Sequence, residues 1–290
     1  MGAVPSHKFD GSGSRGALPN LIIIGAQKCG TTALHSYLAR HPNVFMSRPK
    51  ELNFFVDNSH EGNWYRGIDW YRNQFDPDYQ VRGESSPNYT MDPILPGVAA
   101  RAAGVVPDAK LIFMVRDPVE RVRSGYIHHY ANWRESRPLE EAVLDANSSY
   151  VMRSRYHHQL SSWLEHFPLE RVLVVSQDEM RQARRPSLKR VWRFLGIREN
   201  VWREGFKIQR LKTEKLRRKT VIGSHVSRRV SAARWHQIEN IRLLGWRPLA
   251  RLVEQPELPD LVRAGLIEML QEDVERFRAL TGLAFEDWSI

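Results

Sequence analysis

The stretch LIIIGAQKCGTTALHSYL, residues 21–38, constrains the chain more than any other. Leu21–Ile24 run into Gly25 and predict a short buried parallel strand. From Thr31 the apolar residues Leu34, Tyr37 and Leu38 recur at helical spacing, and Pro42 disfavours helix at His41. Strand, glycine loop and helix together make an anion site, because backbone N–H groups of the loop and of the helix's first turn point the same way. Gly25 permits the sharp exit from the strand and Gly30 lets the backbone close on the anion. Gln27 and Cys29 lie within the loop, and Thr31 and Thr32 add hydroxyl donors. The nucleoside-triphosphate loop reads G-x-x-x-x-G-K-[ST]. Here Gly25 and Gly30 keep that spacing, but Thr31 stands where the lysine belongs and the lysine sits inside, at Lys28. From there it reaches the end of a shorter anion.

Three more strands are expected at Tyr79–Gly83, Leu111–Val115 and Val172–Val175. Pro118 suits the first turn of a helix running to about Tyr130. Leu188, Val191, Trp192 and Leu195 mark a helix that ends at Gly196, and an amphipathic helix covers Leu261–Leu280. Strands alternating with helices predict an α/β fold, a P-loop-like, mostly parallel sheet with helices on both faces. Residues 1–19, rich in Gly, Ser and Pro, read as a disordered leader, and 20–290 as one domain.

Charge narrows the function. The chain of 290 residues carries a net charge of +10, but 17 of its Lys and Arg fall between Arg181 and Val230 against three acids. Elsewhere the acids outnumber the bases, so a whole-surface nucleic-acid binder is disfavoured and one basic segment is left to face an anion. Most of those cations are expected to line a solvated loop. No apolar run approaches the ~20 residues of a membrane span, and the N-terminus has no apolar core of a secretory signal. The single cysteine, Cys29, fits a reducing compartment and reads as a small filler in the loop. The pairs His128-His129 and His157-His158 do not make a metal site, since adjacent helical residues diverge by about 100°. Phe54 and Phe55 read as core, and Trp64, Trp70, Trp133 and Trp163 as core or cleft rim.

The Leu111–Val115 strand ends in Arg116, a cation where a magnesium-binding carboxylate would be expected of a kinase. Arg116 offers a fork for a phosphate dianion, and Ser124, on the next helix, a hydroxyl for the same group. The alternative for Arg116 is a surface ion pair with Asp117 or Glu120. GAQKCGTTAL resembles the 5′-phosphosulfate loop of sulfotransferases that use 3′-phosphoadenosine 5′-phosphosulfate (PAPS). RDPVERVRSGY resembles their 3′-phosphate signature, Arg116 and Ser124 filling its two positions, and KELNFF and GIDWY also have counterparts. The likeness is greatest to the heparan sulfate branch and runs from residue 20 to 290.

That resemblance implies PAPS as sulfuryl donor and no metal. It gives Lys28 the task of stabilising the leaving phosphate and Glu51 that of general base, with pairing to Lys50 as the plainer alternative for Glu51. It also implies a late basic loop over the 3′-phosphate, for which Lys215, Arg217 and Arg218 are candidates, although the family's Lys-Gly-Arg-like sequence is missing. Heparan-type enzymes often carry a second active-site lysine where this chain has Ser85, so Lys28 works with less help or another cation such as Lys50 contributes. The acceptor is expected to be a carbohydrate, glycolipid or specialised metabolite, anionic ones included, taking the group on a hydroxyl or less readily an amine. Membrane anchor and cysteine pairs of the animal enzymes are missing, which points to a cytoplasmic, bacterial-type relative. The rival readings are a magnesium-dependent P-loop kinase and a basic nucleic-acid-binding protein.

Overall fold

The computed structural model describes residues 16–57, 61–207, 217–219, 250–252 and 256–290, with backbone alone at 207, 217–219 and 250–252. Five strands, β1 (Leu21–Gly25), β2 (Val44–Met46), β3 (Val81–Ser85), β4 (Lys110–Val115) and β5 (Val172–Ser176), form a sheet in the order β2-β3-β1-β4-β5. Every neighbouring pair is parallel. Successive side chains on a strand point to opposite faces, and the β1 residues Leu21–Ile24, like Leu111–Val115 of β4, are all at most 1% exposed. Both faces are therefore covered, as the unbroken apolar runs require.

Helices α1 (Thr31–Leu38), α2 (Gly67–Arg72) and α3 (Val98–Val105) are followed by α4 (Pro118–Ala131), α5 (Leu139–Val143), α6 (Ser149–Met152) and α7 (Tyr156–Leu164). Past β5 come α8 (Gln177–Gln182), α9 (Arg184–Leu195), the antiparallel pair β6 (Arg217–Lys219) and β7 (Ala250–Leu252), and α10 (Asp260–Thr281). Tyr37 of α1 and Trp192 of α9 meet on Phe206, while Tyr156 of α7 and Phe277 of α10 pack on Phe113 of β4. A second apolar cluster ties α4, α5, α6 and α10 together through Val122, Val143, Val151 and Leu266.

Helix ends follow their sequence signals. Asp117 caps α4 by accepting the Glu120 N–H at 2.9 Å, with Pro118 in the first turn, and α9 stops on Gly196 at φ 73°. β3 lies two residues later than expected, which places Glu84 and Ser85 inside the sheet. β2 is a three-residue strand the sequence reading lacks, too short to show a period. Of the expected leader, residues 1–15 lie outside the described residues; the Leu18 carbonyl accepts from Arg82 Nε at 3.0 Å, and Leu18 packs on the core.

The chain leaves β1 toward β2 and leaves β4 toward β5, in opposite directions. The two strands are neighbours, so a crevice opens beyond their carboxyl ends, where open α/β sheets place ligands. The loop at residues 25–30 and the Arg116 turn border it. Close packing under that loop leaves room for glycine alone at position 25: a Cβ there would lie 1.9 Å from Thr90 Oγ1. Gly25→Ala is expected to lower the free energy of unfolding by about 3 kcal/mol. Thr90→Ala in the same chain should restore part of the loss, as urea denaturation of the single and double variants would report.

Candidate active site

The loop after β1 turns through left-handed conformations at Lys28 (φ 72°) and Gly30 (φ 86°). Gly30 is the cap of α1, and no side chain bonds the first N–H groups of that helix. The Ala33 N–H donates to the Gly30 carbonyl at 2.9 Å, which leaves the Thr31 and Thr32 N–H groups ahead of it to serve an anion. Gly25, Gln27, Lys28, Cys29, Gly30, Thr31 and Thr32 all lie on this one turn, as the sequence pattern anticipates.

Across the crevice, Arg116 follows β4 and Ser124 stands on α4. Arg116 Nε and Ser124 Oγ are both buried without a hydrogen-bond partner among the described residues. The neighbouring acids are otherwise engaged: Asp117 accepts from the Glu120 and Ser289 N–H groups, and Glu120 pairs with Arg123 at 3.2 Å and Arg263 at 3.3 Å. The surface-pair alternative for Arg116 therefore does not hold. Buried polar atoms are nearly always bonded, so two such orphaned donors, one just past β4 and one on α4, mark a candidate binding site.

One side chain joins the two halves. Tyr156 Oη lies 3.4 Å from Cys29 Sγ and accepts the Arg116 N–H at 3.4 Å. The Ala26 N–H donates directly to the Met114 carbonyl at 2.7 Å. Cys29 is fully buried, and burial pushes its thiol upward, so it packs as an uncharged filler.

The electrostatics are one-sided. Burial, then the charges of Arg116 and Arg121, bring Lys28 down to about 8, so the two loops share one field. Arg121 is 0% exposed; its Nε donates to Ser154 Oγ at 2.6 Å, while Nη1 has no partner. Arg121, Ser124 and His128 stand three and four residues apart, on one face of α4. Burial, with Lys28 and Arg134, holds His128 at about 4 against the opposite pull of Glu51, so its imidazole is neutral at pH 7. That polar stripe was readable in RDPVERVRSGYIHH, and its Arg121 and His128 were missed. Also missed was Gln177, which follows β5, lies over Gly30 and leaves Oε1 buried without a partner.

Glu51 borders the crevice from a loop held in left-handed backbone at Glu51 (φ 65°) and Asn53 (φ 45°). The Glu51 N–H donates to the Ser85 carbonyl and the Asn53 N–H to Ser86 Oγ, at 3.1 and 3.0 Å. Its carboxylate is half exposed and pairs with Lys50 at 2.6 Å, so the plainer alternative for Glu51 is present alongside its place near His128. Beneath, the buried carboxyl of Glu84 accepts from Tyr71 (2.5 Å), Ser86 (2.7 Å) and Tyr89 (2.9 Å), fixing both loops around it. Phe54 and Phe55 are core, Trp163 is buried, and Trp133 is exposed at the end of α4. Lys215 lies outside the described residues. Arg217 and Arg218 are on β6, whose backbone runs beside α4, the helix carrying Ser124.

The sulfotransferase domain family matches residues 18–240. The bifunctional heparan sulfate N-deacetylase/N-sulfotransferase 1 of Caenorhabditis elegans is 34% identical over 144 residues, 46% of this chain and 16% of that protein. The membrane-associated sulfotransferase kil1 of Dictyostelium discoideum is 39% identical over 131 residues, 42% of this chain and 26% of that protein. The matches thus span about a quarter or less of those relatives' length. A crystal structure of a sulfotransferase from Alicyclobacillus acidocaldarius shares the fold, with a TM-score of 0.65 at 23% identity over 94% of this chain and 100% of that one.

The strut between the loops can be tested alone. Tyr156→Phe removes a hydroxyl that serves Cys29 and the Arg116 N–H, and is expected to cost about 1–2 kcal/mol in urea denaturation.

Proposed function

The chain belongs to the sulfotransferase family, in its heparan-sulfate-sulfotransferase-like branch, and from that premise we propose that it carries the sulfuryl group of PAPS to a hydroxyl, or less readily an amine, of a carbohydrate, glycolipid or specialised-metabolite acceptor. The observation that supports the choice of PAPS is the pair of orphaned donors, Arg116 Nε and Ser124 Oγ, with the charge of Arg116 acting on Lys28 of the glycine loop. A nucleotide with a phosphate at each end would answer both sides. In this reading the 25–32 loop grips the 5′-phosphosulfate while Arg116 and Ser124 take the 3′-phosphate. The β6 residues Arg217 and Arg218, with Lys215, are candidates to close over it.

Sulfuryl transfer asks for position and charge more than for covalent help. The acceptor oxygen forms a bond to sulfur as the bond from sulfur to the 5′-phosphate oxygen breaks, and the hydroxyl proton goes to the Glu51 carboxylate. Negative charge gathers on the leaving phosphate, where the protonated Lys28 amine meets it. The residues of the crevice supply that cation, so the scheme calls for no metal. Arg121, a buried residue of α4, adds positive potential at Lys28. A neutral His128 beside Glu51 can accept or relay a hydrogen bond from the acceptor without adding to the charge.

Two measurements test the reading. The product nucleotide 3′-phosphoadenosine 5′-phosphate (PAP) should raise the melting temperature, whereas magnesium-ATP and duplex DNA should not; Arg116→Ala should remove most of the shift. Stabilisation by magnesium-ATP or DNA instead would favour one of the rivals.

The second is a pH profile. Lys28 in the free protein loses its proton near pH 8, well below its ordinary value of 10.5. PAP affinity should accordingly fall above about pH 8 as the cation is lost, and Lys28→Arg, charged throughout, should flatten that fall. The sign for stability is opposite. Between about pH 8 and 10.5 the unfolded chain holds a proton the folded one has released, so the free protein gains stability there.

A further inference from the structure

The segment after α10 that reads FEDWS, residues 285–289, is tied to the Arg116 turn at two points. The Ser289 N–H donates to Asp117 Oδ2 at 2.5 Å, while the other oxygen of that carboxylate caps α4 by accepting the Glu120 N–H at 2.9 Å. Trp288, only 7% exposed, packs on the Tyr156 ring with centroids 5.7 Å apart. The Tyr156 hydroxyl in turn accepts the Arg116 N–H at 3.4 Å. One segment, far away in sequence, thus bears on Arg116 through its own N–H and through the side chain of the next residue.

The segment is held in a defined shape. Phe285 adopts φ 51°, a left-handed backbone that a bulky residue seldom takes, and its ring stacks on Trp288 at 4.1 Å and 12°. Phe277 of α10 joins the stack, 5.6 Å from Phe285 and 6.3 Å from Trp288. Arg278 fixes both ends, donating to the Ala284 carbonyl at 2.8 Å and the Ile290 carbonyl at 2.6 Å. Toward Glu179 of α8 and Arg190 of α9 the segment borders a cavity of about 180 Å³, so its packing there is incomplete. The contacts at Asp117 and Tyr156 therefore weigh more in placing it. Uncommon backbone held in place by its surroundings is a mark of a functional part.

Asp117 stands next to a guanidinium whose Nε has no partner among the described residues. With both of its oxygens served by N–H groups, Asp117 is kept from pairing with that neighbour. Without the Ser289 N–H, one oxygen would be open to accept from Arg116 and would repel an arriving phosphate. Resting on the PAPS-dependent reading above, we propose that residues 285–289 are a positioning element for the 3′-phosphate. Docked, the segment keeps Arg116 aligned and unpaired for that group; undocked, it leaves Asp117 to occupy Arg116 in the phosphate's place. Docking and 3′-phosphate binding are then linked, each favouring the other.

The test measures, by calorimetry on the full chain, affinity for PAP and for adenosine 5′-phosphate, which lacks only the 3′-phosphate. Ser289→Pro removes the N–H that serves Asp117, and Ser289→Ala keeps it. Trp288→Ala removes the ring on Tyr156, and Trp288→Phe keeps an aromatic there. Ser289→Pro and Trp288→Ala should each weaken PAP binding about tenfold and leave adenosine 5′-phosphate within about twofold. Ser289→Ala and Trp288→Phe should keep most of the preference for PAP. In the wild type, PAP should slow hydrogen exchange at the Ser289 amide and adenosine 5′-phosphate should not. A full preference for PAP kept by either Ser289→Pro or Trp288→Ala overturns the proposal. Where these variants lose adenosine 5′-phosphate as well, through misfolding, the exchange measurement decides, and equal exchange with the two nucleotides overturns it. A wild type with no preference for PAP over adenosine 5′-phosphate would strike the donor reading itself, and is seen before any variant is made.

Discussion

The parallel pairing of β1 with β4 decides where everything else in the site can stand. Hydrogen bonds hold Leu21 opposite Lys110 and Ile23 opposite Ile112, so the two strands end side by side. The glycine loop and Arg116 are then next to each other by construction, although 86 residues of sequence numbering separate Gly30 from Arg116. Tyr156, from α7 on a third part of the chain, closes the join by serving Cys29 and the Arg116 N–H together. The rest of the site is a matter of which side chains this fixed edge gathers.

What it gathers is positive charge without matching negative charge. Arg121 and Arg153 are buried, Lys28 and Arg116 are partly exposed, and the fully buried carboxyl of Glu84 is surrounded by hydroxyl donors. Burial raises Glu84's hold on its proton, so it offers little compensation. A chain selected for stability alone would not leave guanidinium groups unpaired in its interior. The imbalance makes sense when an anion is a missing part of the folded state, because binding then relieves a cost already present in the free protein. Lys28 fits this: burial first, and then the charges of Arg116 and Arg121, lowers its hold on its proton.

The features legible in the sequence are those contained in one local segment. Gly25, Lys28, Gly30 and Thr31 announce a loop because strand, turn and helix follow one another within eleven residues, Leu21 to Thr31. Arg116 and Ser124 announce themselves through the Asp-Pro helix start between them. The main parallel strands were readable because burial on both faces demands unbroken apolar runs. Arg153 was not readable, because SYVMRSRY contains no pattern to distinguish a buried cation from a solvated one. Its burial shows only in the fold, where it donates to Asn88, distant in sequence. Arg121 is intermediate: the stripe it forms with Ser124 and His128 exists in the sequence, but Arg123 beside it looks the same and faces outward to Glu120 and the Pro256 carbonyl. Helical phase distinguishes them only once the apolar face of α4 is known.

Ser85 shows how a departure from the family pattern is absorbed. It lies within β3, is 0% exposed, and its Oγ bonds His35 Nδ1 at 2.9 Å. His35 is held at about 4, by burial and then by the charge of Lys50, so the pair is neutral at working pH. Lys50 also acts on the buried Glu84, the residue before Ser85 on β3. A cation is therefore present near position 85, delivered from the neighbouring loop instead of from β3. Lys50 is bonded to Glu51, which in the proposed chemistry must take up a proton. Such a partner occupies a carboxylate oxygen that the proposed chemistry needs. A lysine fixed at position 85 would be free of that tie. With Ser85 in its place, the supporting cation and the base are one ion pair, and an acceptor that approaches Glu51 must compete with Lys50 for it.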